Sequence, residues 1–128
     1  MARESLDEVE QMVVDDYRAR NMGNEEVRTF SDREILQMSP PTIHDYNVYY
    51  DRRLAPLEAE LEREKEDLAE NSEQASRSDL TYYQREEFQR EVQANRFAIA
   101  ELERKIELIV EEKEKRVARF GEQEPPQR

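Results

Sequence analysis

Seven residues in the C-terminal half, Phe88, Val92, Asn95, Ile99, Leu102, Ile106 and Ile109, recur at alternating steps of four and three. That spacing keeps a narrow stripe on one side of an α-helix and presents it to a second helix, as in a coiled coil. The chain supplies a second seam upstream. Tyr46, Tyr50, Leu54, Leu57 and Leu61 follow the same alternation, and Leu68 lies seven residues further on. Glu64 interrupts this upstream series.

Two seams joined by a polar stretch, Asn71 to Asp79, predict a long antiparallel helical hairpin of coiled-coil type in an all-α fold. The expected arms run over about 42–72 and 80–120. Folding them about residue 75 sets Leu68 against Tyr82 or Tyr83 and Leu61 against Phe88 and Val92. It also sets Leu54 against Ile99, Tyr50 against Leu102, Tyr46 against Ile106 and Ile43 against Ile109. Leu57 opposite Asn95 is the one mismatch. Asn95 reads either as a polar seam residue that fixes register or as a solvent-facing residue where Pro56 bends the other arm. Proline inside a helix removes one backbone donor and clashes with the preceding turn, so Pro56 is expected to kink or restart the first arm.

Short helices are expected over residues 1–41. Ser5-Leu6-Asp7-Glu8 and Ser31-Asp32-Arg33-Glu34 have the spacing of capping boxes, Asn24 or Ser31 can cap a second short helix, and Thr42 with Asp45 opens the first arm. Gly23 is placed to close the first helix and Gly121 the last, leaving 122–128 as an extended tail. Ser39-Pro40-Pro41 stops the helix before it. Val110, Val117 and Phe120 outrun the first arm, so the N-terminal helices are expected to pack near the open end of the hairpin.

Charge narrows the partners. Asp and Glu number 32 against 20 Lys and Arg, for a net charge of −12. Nucleic acid and anionic membrane both reward clustered Lys and Arg, so neither is expected as a direct partner. The excess acid sits in the first 78 residues, and the last helix is nearly balanced. Cysteine is absent, which excludes disulfides, thiolate metal sites and cysteine nucleophiles. No long apolar run supports a membrane span, and the first residues lack the apolar stretch of a secretory signal. An intracellular or intravirion setting is therefore expected.

No pattern of catalytic chemistry stands out. His44 is the only histidine, and its neighbour Asp45 does not share its helix face. The acidic stretch Glu58, Glu60, Glu62, Glu64, Glu66 and Asp67 lacks the glycine-bearing turn of a calcium loop, so it reads as a solvated face. With two glycines, the chain has no backbone cradle for phosphate. No cofactor, metal or small-molecule substrate is expected. Tyrosine is favoured at interface centres, and adjacent tyrosines cannot both enter one seam. Tyr17, Phe30, Tyr49, Tyr82, Val117 and Phe120 are thus the candidate partner-binding residues.

The expected role is a non-enzymatic structural or adaptor subunit of a larger protein assembly, binding other proteins or further copies of itself. A phage virion or morphogenesis complex is one setting. The alternative is an acidic regulator that mimics nucleic acid or sequesters a basic protein.

Overall fold

The computed structural model describes residues 6–123. It is 84% helical, and no strand occurs among the described residues. The elements are α1 (Glu8–Arg20), α2 (Glu25–Thr29), α3 (Asp32–Met38), α4 (Ile43–Ala75) and α5 (Tyr82–Gln123). The long helices α4 and α5 pack against each other as an antiparallel hairpin, preceded by the three short helices.

Two compact units divide the chain. One takes in the described residues up to Asp51 together with those from Lys113, and the other is Arg52–Glu112. The N-terminal helices thus share a unit with the first residues of α4 and the last of α5.

In the first unit Val9, Val13 and Val14 of α1, Val27 of α2, Ile35 of α3 and Tyr50 of α4 are buried. Each buried aliphatic side chain contributes about 1.5–3 kcal/mol of transfer free energy, which is how helices of five and seven residues persist. In the second unit the buried residues are Leu54, Val92, Leu102 and the polar Asn95.

Helix starts follow side-chain capping, with one correction. Asp7, not Ser5, caps α1: its carboxylate accepts from the Glu10 amide at 2.8 Å, and Glu10 accepts in return from the Asp7 amide at 3.1 Å. Ser5 itself lies outside the described residues. Ser31 and Glu34 form the expected box on α3, and Asn24 caps α2. Thr42 and Asp45 satisfy one another at the start of α4. Thr81 and Gln84 do the same for α5.

At its other end α1 stops at Arg20, with Asn21 as C-cap: its side-chain Nδ2 donates to the Tyr17 carbonyl at 2.8 Å and its backbone N–H to the Arg18 carbonyl at 3.2 Å. Gly23 does not take the left-handed conformation, and no described glycine has positive φ. Gly121 lies inside α5 rather than ending it. The helix has no steric reason to stop there, since glycine tolerates helical backbone at a cost of about 1 kcal/mol. Of the expected tail, residues 124–128 lie outside the described residues.

Pro56 neither ends nor restarts α4, which is assigned as one helix of 33 residues. Pro56 is exposed, as is Arg52, whose carbonyl loses its helical donor. Water can reach that carbonyl, so the helix survives the missing hydrogen bond.

The register of the hairpin differs from the expected one. Asn95 lies against Glu64 and Asn71, and Arg53 pairs with Glu112 at 2.7 Å. Tyr50 meets Arg116 rather than Leu102, fourteen residues further on, and Asn95 meets Glu64 rather than Leu57, seven further on, so the arms are offset by one to two heptads. A slide by whole heptads leaves apolar facing apolar, so the pattern alone does not distinguish the two alignments. The connection is correspondingly short, from Ser76 to Thr81. Within it Arg77 grips Asp79 at 2.6 and 3.1 Å and Arg85 donates to the Arg77 carbonyl at 3.1 Å.

Candidate functional site

Arg116 organises the first unit. Its guanidinium lies 5.2 Å from the Tyr46 ring centre and 5.8 Å from that of Tyr50, and it donates to the Tyr50 hydroxyl at 3.0 Å. Asp7 and Glu8 approach it at 3.5 and 3.7 Å. Residues 46 and 50 share a face of α4 because they are one turn apart. Burial opposes the charge on Arg116, but the Tyr50 hydrogen bond and the Asp7 carboxylate outweigh it and hold the guanidinium above its ordinary value. Burial, then the charge of Asp7, pushes the Tyr46 phenol up. Phe120 also packs against Tyr46, with ring centres 5.3 Å apart.

In the second unit Asn95 donates to Glu64 at 2.9 Å and accepts from Asn71 at 2.9 Å. A buried amide with both ends satisfied costs little, whereas the same amide against leucine would be left unpaired. The two polar interruptions noted in the sequence, Glu64 and Asn95, therefore meet each other. Matching them is the signal that would have given the register.

The expected seam residues are buried to different degrees. Tyr50, Leu54, Val92, Asn95 and Leu102 are buried, while Tyr46, Leu57, Leu61, Leu68, Phe88, Ile99, Ile106 and Ile109 are half-buried. Of the candidate partner-binding residues, Tyr17, Phe30, Tyr49, Val117 and Phe120 are half-buried. Tyr49 packs edge-on against Tyr50. Tyr82 alone among them is well exposed, at 74%.

Ile43 and Tyr83, expected inside the hairpin against Ile109 and Leu68, are exposed instead, and so are Phe97 and Leu108, to which the sequence assigned no role. Tyr83, Phe97 and Leu108 lie open on the second unit, and Met22, Met38 and Ile43 on the first. At 100° per residue, Tyr83, Phe97 and Leu108 fall on the side of α5 opposite Val92, Asn95 and Leu102. An open groove of about 710 Å³ lies where the end of α4 meets the start of α5, with Glu86, Arg90 and Arg96 along it.

His44 is exposed. No group of three or more His, Asp or Glu side chains among the described residues is arranged to hold a metal ion. No helix among them is long and apolar enough to cross a membrane. No protein-family model, curated protein or solved structure matches the chain.

Proposed function

We infer that this protein is a non-enzymatic structural or adaptor component of a larger protein assembly, and that it docks through its helical surfaces. The observation that carries the reading is the placement of scarce apolar side chains in water. Leu, Ile, Val and Phe make up only about a fifth of the chain, close to the level at which charged sequences fail to fold. Yet Tyr82, Tyr83, Phe97 and Met22 are each more than two-thirds exposed. Exposed aromatic side chains of this size are the usual anchors of protein interfaces. A virion or morphogenesis complex suits such a small helical component.

The test is affinity capture of the tagged full chain from its native source, followed by mass measurement of the intact complex. Partners at fixed stoichiometry, lost on changing Phe97→Ser or Tyr82→Ser, support the role. A chain recovered alone under mild extraction contradicts it.

The exposed acids of α4, Glu58, Glu60, Glu62, Glu66 and Asp67, favour the second reading, an acidic mimic or sequestering partner. That reading requires binding that weakens steeply with salt. Assembly through apolar anchors requires binding that salt hardly changes.

A further inference from the structure

The outward face of α5 carries a second heptad series. Tyr83, Glu87, Arg90, Ala94, Phe97, Glu101, Arg104 and Leu108 are separated by alternating steps of four and three. They form one stripe along about 38 Å of helix. Every one of them is exposed, and Tyr83 and Phe97 are 83% and 69% so. The seam with α4 is on the other side, so the hairpin leaves this series without a covering element.

Read from both ends, the stripe complements itself. Laid antiparallel on a second copy, Ala94 faces Phe97 of the other chain, a small side chain against a large one. Arg90 then faces Glu101, Glu87 faces Arg104, and Tyr83 faces Leu108. Two-fold symmetry makes each of these contacts twice. The match is particular to one arrangement. A slide of one heptad in either direction puts Phe97 against Glu101 or Glu87. A parallel pairing in register puts Glu87 on Glu87 and Arg90 on Arg90, which like-charge repulsion disfavours.

The charges are available. Among the described residues Glu87, Arg90 and Glu101 make no ion pair within the chain. Arg104 touches Glu107 at 3.3 Å, with both side chains about 60% exposed. A surface pair of that kind holds little energy and does not commit the guanidinium.

We propose that the protein pairs with a second copy of itself through this stripe, antiparallel and two-fold, with the axis passing between Asn95 and Arg96. The inference goes beyond the assembly role and does not rest on it. A contact one helix wide is at the small end of specific interfaces, so the dissociation constant is on the order of micromolar.

Sedimentation equilibrium of the full chain over a wide micromolar range tests this. A monomer–dimer equilibrium is expected. Arg90→Glu alone, or Glu101→Arg alone, should weaken it about tenfold or more, since each replaces two attractions with two repulsions. The two changes together should restore it. Both positions are exposed, so unchanged thermal unfolding of a dilute sample confirms that the fold is intact.

Orientation is tested by cysteine cross-linking in this cysteine-free chain. Tyr83→Cys and Leu108→Cys proteins should form disulfide dimers when mixed and not when oxidised separately. A monomer at every concentration overturns the proposal. So does a dimer indifferent to charge reversal, or one in which either cysteine variant links to itself.

Discussion

Arg116 gathers two aromatic faces, one phenol oxygen and two carboxylates around its guanidinium, on a side chain only 21% exposed. The carboxylates contribute less, because they lie 3.5 and 3.7 Å away on side chains 41% and 67% exposed. The rings and the Tyr50 hydroxyl carry the interaction. Arg116→Met keeps most of the packing volume and removes the charge, and should lower stability by about 1–3 kcal/mol in urea unfolding. A loss near zero would mean that the guanidinium merely rests on the rings. Tyr46 adds a pH dependence. Its phenol is raised in the folded protein, so the neutral ring is the favoured form. The associated stability is complete below the ordinary tyrosine value of about 10 and is lost as pH rises through the higher folded value. Unfolding free energy should therefore fall as pH rises above about 10, and less steeply in Tyr46→Phe than in the unaltered chain. Equal slopes would remove Tyr46 from the account. None of this cluster was legible beforehand. Tyr46 and Tyr50 read as seam residues, and a lone arginine among sixteen gives no sign of where it lies.

At the scale of the element, capping was legible and register was not. Ser31 and Thr42 cap helices as expected, and Asn24, an alternative to Ser31 for one short helix, caps a separate one. Asp7 was missed because Ser5/Glu8 and Asp7/Glu10 are overlapping boxes with identical spacing, and local sequence does not choose between them. The hairpin register failed for a different reason. A seven-residue repeat matches itself at every heptad, so only the polar residues Glu64, Asn71 and Asn95 break the tie. The energies of the seam should follow burial rather than pattern. Leu102 is 5% exposed, and Leu102→Ala should cost about 2–5 kcal/mol. Half-buried Ile106 should cost about 1–2 kcal/mol on the same change. The reverse order would show that the seam is packed otherwise. Pro56 offers the opposite sign. It sits exposed in the interior of α4, so Pro56→Ala restores a hydrogen bond without emptying a cavity. Denaturant unfolding should show a gain of about 1–3 kcal/mol, and a loss would mean that the proline sets a bend that packing needs.

For the molecule as a whole, charge is the quantity that sequence alone determines. A surplus of twelve negative charges repels itself across any folded arrangement, while the ion pairs that oppose it are mostly exposed. Raising sodium chloride from about 0.02 to 0.3 M, which shortens the screening distance to below about 8 Å, should therefore raise the unfolding temperature. A decrease would show that attractive pairs outweigh the repulsion. The all-α class and the pairing of the two long helices were legible for a related reason, since both follow from composition and periodicity rather than from particular contacts. One consequence concerns synthesis rather than stability. Tyr50 finds its hydrogen-bonding partner 66 residues later in the chain, and ribosomes add about 5–20 residues each second. For roughly 3 to 13 s the nascent Tyr50 therefore waits for Arg116, and the segment that closes the first unit is made long after the one that begins it.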